Sequence, residues 1–292
     1  FMVMFDVQEE TGQIPDSLND LVILNDYCKP PIHGWTYHKL KERMPISDAM
    51  KREAYEKLSK WTEWWLTYRD PNHDGLCEYT HGNDSGWDNS TAFIEEPPMT
   101  LPDLAAFLIL QMEELASLAE ELGHPEESRI WKEKADCMLQ KMLDKLFPDG
   151  KPASVHAFTG RSVPNESLIL CLPMILGSRL PENVIANLKE RLSGFRTPYG
   201  YATEKPSSPL YVPDGYWRGP IWAPSTMIIV DGLEAVGEHE LAKEAAVAFC
   251  EMVKNSGCSE NFDALTGEGL RDRAYTWTAS VALILANQYL NS

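Results

Sequence analysis

With 292 residues, 43% of them apolar and 24% charged, the chain can bury a substantial core, and its aliphatic and aromatic content excludes a disordered polymer. Acidic residues outnumber basic ones 44 to 26, a net charge of -18; that field repels phosphate backbones and anionic lipid, so neither nucleic acid nor a membrane is expected as a partner. No apolar run approaches the roughly 18–20 residues of a membrane span.

In chain order, the pattern predicts a short helix over 33–43 and a longer one over 47–68, capped by Ser47 and ended before Pro71. A helix over 101–122 follows, with leucines at 104, 108, 115, 118 and 122 and an apolar surface nearly all round from Leu104 to Met112. Residues 126–146 differ: Trp131, Ala135, Met138, Leu139, Met142, Leu143 and Leu146 make one stripe, and charged residues fill the other face. Further helices are predicted over 166–176, 181–193, 222–236 and 239–255. The last, 276–290, is apolar round most of its surface and is expected to be the most buried.

Sheathed helices alternating with one-faced helices predict an inner ring inside an outer ring, an all-α (α/α)6 toroid of six hairpins. The loop-bearing end is the expected active centre. The connections 75–98, 148–164, 194–220 and 257–275 are long and rich in Gly, Pro and Trp, which is uncommon without a function. About nine helices are too few for a closed six-hairpin barrel. Residues 1–292 are therefore expected to form one N-terminally incomplete barrel domain, its missing first helices supplied by a longer parent chain.

No basic segment followed by an apolar one stands at the start, so a cytoplasmic location is expected. The six cysteines at 28, 77, 137, 171, 250 and 258 form no Cys-x-x-Cys pair, which predicts reduced thiols and no zinc or redox motif. Nine tryptophans suit the stacking of flat apolar faces, sugar rings among them.

Four segments carry chemistry. In Asn83-Asp84-Ser85-Gly86-Trp87-Asp88-Asn89-Ser90, Gly86 permits a tight turn and Trp87 offers an apolar wall. Asp88 on that turn is either a helix cap or a carboxyl whose pKa is raised by desolvation. Pro213-Asp214-Gly215-Tyr216-Trp217-Arg218-Gly219-Pro220-Ile221-Trp222 is a rigid aromatic stretch. It is suited to a polyhydroxyl ligand or, alternatively, to plugging a core with a structural Arg. Glu260 lies in a loop that feeds the 276–290 helix, and two carboxyls flanking a sugar pocket are what glycoside hydrolysis requires. Asp70, Asn72 and Asp74 with Gly75 match the start of a calcium loop, but Glu78 arrives at the ninth position rather than the twelfth. Calcium there competes with a turn whose side chains bond their own backbone.

Together with Gly12-Gln13-Ile14-Pro15-Asp16, Lys29-Pro30-Pro31-Ile32-His33-Gly34-Trp35, Glu260-Asn261-Phe262, Thr266-Gly267 and Trp277-Thr278, these segments resemble the trehalase-like clan of (α/α)6-barrel glycosidases. The resemblance is closest to glycoside hydrolase family 63 and covers nearly the whole chain. It implies that Asp88 matches the general acid and Glu260 the general base. It implies that Trp35, Trp87, Asn89, Tyr216, Trp217, Arg218, Gly219, Trp222 and Trp277 fall where the family lines its sugar pocket. Asp70, Asn72, Asp74 and Glu78 resemble a structural calcium loop of some members. Lys29 departs from the pattern, since relatives often carry Gln before the paired prolines.

The expected function is inverting hydrolysis of an α-glucoside, an α-mannoside or a short oligosaccharide, with the carboxyls roughly 6.5–9.5 Å apart and no catalytic cofactor. An epimerase or isomerase would need a base, often His, and none of the seven histidines lies in the Trp217 or Glu260 segments. A phosphorylase would need a basic anion pocket, and none is apparent. A catalytically silent sugar-binding fragment is the third alternative.

Overall fold

The computed structural model describes residues 1–95 and 97–290. The chain forms two compact units that interleave along the sequence. The first comprises Phe1–Asp88, Glu96–Pro148 and Val155–Ser162; the second comprises Asn89–Glu95, Asp149–Ser154 and Val163–Ser292.

Among the described residues, four α-helices build the first unit: α1 (His33–Lys41), α2 (Asp48–Tyr68), α3 (Pro102–Glu121) and α4 (Pro125–Leu146). The Ser47 hydroxyl accepts the Met50 N–H at 3.3 Å, so α2 starts where its cap predicts. Both α3 and α4 carry Pro in the first turn, where a missing N–H costs nothing. Every residue from Leu104 to Ile109 is buried, which makes α3 the sheathed helix the sequence predicts. On α4 only one stripe, Trp131, Ala135, Met138, Met142 and Leu146, is buried with Ser128. Gly34 meets α3 so closely that a Cβ would lie 2.3 Å from the Gln111 Cα. Its N–H donates to Gln111 Oε1 at 3.0 Å, and Gln111 Nε2 donates to Thr62 Oγ1 on α2 at 2.9 Å. One buried amide thus locks three helices.

The second unit holds α5 (Glu182–Ser193), α6 (Ala223–Ala235), α7 (His239–Ser256) and α8 (Thr276–Tyr289). The predicted helix at 166–176 is instead a tight 3₁₀ segment over Leu168–Arg179. Pro173 interrupts the α-helical ladder there, and Gly177 turns with φ 57°. The segment is buried from Leu168 to Gly177 and packs on α6, where Gly232 brings a hypothetical Cβ to 3.0 Å from Met174 Cβ.

One expectation is overturned. On α8 only Thr278, Val281 and Leu285 are buried, while Leu283 is 72% exposed and Ile284 36%. Apolar composition shows what a helix could bury; the neighbours, here α6 and α7, decide what is covered. Strands among the described residues are two or three residues long, in small antiparallel pairings. None of the described helices is long and apolar enough to cross a membrane. All six cysteines are unpaired thiols.

Candidate active site

In the first unit, Asp84 organises the turn that leads to Asp88. Its Oδ2 accepts the Thr80 and His81 N–H groups at 2.9 and 3.0 Å and the Arg69 guanidinium at 3.0 Å. Its Oδ1 accepts the Cys28 N–H at 3.1 Å. Asp84 is buried, and these bonds make it an anchor that the sequence reading missed, although an Asp three residues after His81 fits a capping box. Gly86 then takes φ 73°, a conformation that Cβ-bearing residues adopt rarely, and the Ser85 hydroxyl accepts the Trp87 N–H at 3.0 Å. Trp87 is buried and Asp88 half-buried. Burial pushes the Asp88 carboxyl above its ordinary range against the pull of Lys29, and Asp16 adds to the rise. Trp35, on α1, is also half-buried.

The same unit contains the 70–78 loop. One carboxylate oxygen each from Asp70, Asp74 and Glu78 lies within 4.8 Å of the other two. Asp70 also accepts the N–H groups of Asp74 and Gly75, and Asn72 Oδ1 accepts the Asp74 N–H at 3.1 Å. The Asn72 amide nitrogen turns to the Ala157 carbonyl at 2.9 Å. Glu78 is fully buried, and neither of its oxygens makes a hydrogen bond of normal geometry, although Thr100 lies beside it. Burial, with Asp70 and Asp74 nearby, pushes its carboxyl up to about 8. Three convergent carboxyls, of which Glu78 is buried and orphaned while Asp70 and Asp74 are half-buried, fit a hard cation; Lys145, paired with Asp74, supplies a positive charge to the cluster.

In the second unit, the Glu260 segment and the aromatic segment are brought together. Phe262 and Ile221 exchange both backbone hydrogen bonds, at 3.0 and 2.8 Å. The Glu260 N–H donates to the Asp272 carbonyl at 2.7 Å, and the Trp277 indole N–H donates to the Glu260 carbonyl at 3.3 Å. Beside Glu260, Asn261 is fully buried with neither amide atom hydrogen-bonded. Trp217 lies flat on Trp222, ring centroids 4.1 Å apart at 7°, and Trp222 meets Trp277 edge-on at 5.5 Å. Trp217 is 4% exposed and Trp222 fully buried, so these two indoles pack mainly against protein. Tyr216 and Trp277 are half-buried, as is Arg218, whose Nε is sealed from solvent without a partner. Gly219 is needed by packing, since a Cβ there would stand 2.2 Å from the Val212 carbonyl oxygen.

Tyr216 and Arg271 both adopt left-handed backbone, with φ 63° and 61°. The Arg271 guanidinium sits 5.3 Å over the Tyr216 ring and pairs with Asp214 at 2.7 Å. Two strained residues in contact beside the Glu260 hairpin fit a functional loop. An open cavity of about 580 Å³ is lined by Asp272, Tyr275, Trp277, Ser280 and Val281 among others. A cavity of about 620 Å³ between residues 196–201 and α7 contains none of the candidate residues.

Residues 1–278 match the mannosylglycerate hydrolase MGH1-like glycoside hydrolase domain. The chain belongs to this family. Among curated relatives, mannosylglycerate hydrolase MGH1 of Selaginella moellendorffii is 25% identical over 87% of this chain. The chain spans 65% of that relative's length. A crystal structure of the GH63 mannosylglycerate hydrolase from Thermus thermophilus in complex with glucose superposes with a TM-score of 0.83. That likeness has 20% identity and covers 98% of this chain and 86% of the other. Neutral trehalase Nth1 from Saccharomyces cerevisiae gives a TM-score of 0.60 at 18% identity, over 88% of this chain and 48% of that one. The fold is therefore that of the trehalase-like (α/α)6-barrel glycosidases, as the sequence predicts.

Proposed function

We propose that this protein hydrolyses the α-glycoside of a small hydroxy acid, with mannosylglycerate as first candidate, and that it inverts the anomeric centre. The family match over residues 1–278 carries this reading, and relatives described as mannosylglycerate hydrolases from a plant and two bacteria support the substrate class. Asp88 donates its proton to the glycosidic oxygen as the bond to the sugar carbon breaks. Glu260 takes a proton from a water whose oxygen bonds to that carbon from the opposite face. The proton returns from Glu260 to Asp88 through solvent. The raised Asp88 carboxyl supports its role as the acid, because its desolvation favours the protonated form that a proton donor needs.

Tyr216, Arg218, Trp277 and Trp35 are proposed to contact the sugar, and Trp87, Trp217, Trp222, Asn89 and Gly219 to shape the loops behind them. Asp70, Asp74 and Glu78, with Asn72 in the same loop, are proposed to hold a structural calcium ion, which would neutralise a carboxyl cluster whose Glu78 member is buried. The test is hydrolysis of mannosylglycerate, glucosylglycerate and trehalose, followed by proton NMR. Release of the β-anomer first from an α-linked acid glycoside is the expected result. No turnover on any of the three, or α-anomer first, overturns the proposal.

A further inference from the structure

Two charged residues near Asp88, Lys29 and Asp16, have no part in the reaction as written above. Lys29 Nζ pairs with Asp16 Oδ1 at 2.9 Å and donates to the Asn83 carbonyl at 2.7 Å. That carbonyl also accepts the Gly86 N–H at 3.2 Å. The ammonium is therefore docked on the turn that ends two residues before Asp88. One position earlier, the Cys28 N–H is held by the buried Asp84 carboxylate, which gathers the backbone of Thr80 and His81 on its other oxygen. Residues 28–29 are thus fastened to this turn once by main chain and once by side chain. An isolated surface ion pair is worth little. This pair is only 38% and 16% exposed at its two side chains and has a third partner in the turn itself.

We propose that Lys29 is a positioning residue for Asp88: with Asp16 it fixes the turn that carries the carboxyl and sets the charge that the carboxyl meets. The inference rests on the reading of Asp88 as general acid. The titratable and charged groups that bear on Asp88 are Lys29, Asp16 and His81. After burial, which raises the carboxyl, Lys29 is the largest influence and opposes the rise; Asp16 adds to it and His81 lowers it. The two members of one ion pair thus act with opposite sign. Loss of Lys29 leaves Asp88 protonated to higher pH, whereas loss of Asp16 leaves it ionised from lower pH. A general acid works protonated, so the alkaline limb of kcat/KM follows in the same directions.

The experiment compares Lys29→Met, Lys29→Gln, Lys29→Arg and Asp16→Asn with the parent protein in two readouts. Carbon-13 titration of the Asp88 carboxyl, assigned by its loss in Asp88→Asn, needs no turnover. The pH profile of mannosylglycerate hydrolysis reports on catalysis. The Asp88 midpoint is expected to rise in Lys29→Met and Lys29→Gln, to fall in Asp16→Asn, and to stay in Lys29→Arg. Uncharged Lys29 variants with an unmoved midpoint, or shifts of one sign in both partners' variants, overturn the inference. If the midpoints move as expected while the alkaline limb does not, Lys29 acts on Asp88 as argued and the assignment of Asp88 as the acid fails instead.

Discussion

Asn89 grips the backbone on both sides of Tyr216: its Oδ1 accepts the Trp217 N–H at 3.0 Å and its Nδ2 donates to the Gly215 carbonyl at 3.0 Å. Tyr216, between them, holds a left-handed φ of 63°, a conformation that persists only where the surroundings impose it. The residue directly after the candidate acid thus spends its amide on the aromatic loop. Asn89→Ala is expected to lower stability by about 1 kcal/mol, the usual yield of such bonds, and to lower turnover by a larger factor than the unfolding change explains. Thermal unfolding and initial rates on the same preparations check this. A variant with parental melting temperature and rate would show the clamp to be idle.

Asp88→Asn and Glu260→Gln keep side-chain shape while removing the proton chemistry. Each is expected to cost at least about a hundredfold in turnover with little change in the dissociation constant for substrate, read by calorimetry on the inactive variants. Near-parental turnover in either variant would remove that residue from the mechanism.

Trp217 is reached by the sequence as a sugar platform, and its 4% exposure and flat stacking on Trp222 recast it as a packing element. Trp217→Ala is accordingly expected to destabilise by about 3–5 kcal/mol, the range for deleting a large core aromatic. Tyr216→Ala, at a half-buried ring, is expected to cost less. Urea denaturation ranks the two. A reversed order would return Trp217 to the pocket.

Glu78 gives a pH dependence of definite sign. Its folded-state pKa, about 8, lies above the ordinary carboxyl value because burial and the charges of Asp70 and Asp74 disfavour ionisation. Its contribution to stability is complete below the unfolded pKa and is lost as pH rises through about 8. In EDTA, Glu78→Gln is therefore expected to be more stable than the parent at about pH 8 and no more stable at about pH 4. Added calcium should raise the parent's melting temperature, more at about pH 8 than at about pH 5, and should leave Glu78→Gln unmoved. Identical calcium responses in both proteins would reduce the loop to a turn bonded to its own backbone.

Helix positions were legible wherever a local signal marked them. Ser47 starts α2, prolines open α3 and α4, and the stripe from Trp131 to Leu146 predicts which face of α4 is buried. The 168–179 segment was harder, because an unbroken apolar run has no period, and Pro173 with Gly177 converts it to 3₁₀ geometry. At the candidate site, Gly86, Trp87 and Asp88 were conspicuous as a turn with a carboxyl. The hydrogen bonds of Asp84 to Cys28 and of Asn89 to Trp217 span 56 and 128 positions, and no spacing rule announces partners that far apart.

From the sequence alone came the all-α class and the calcium-like loop, because periodicity, caps and turn residues act within a few positions of the chain; the family and the roles of the two candidate carboxyls came from the resemblance of short motifs. Only the tertiary structure decided that the Glu260 strand pairs with Ile221, that the Trp217 indole lies in packing, that α8 leaves Leu283 and Ile284 uncovered, and that Glu78 is buried among other carboxylates. Each of these depends on which distant surface arrives against a given side chain. Burial, and with it charge state and role, is a property of that meeting rather than of the residue.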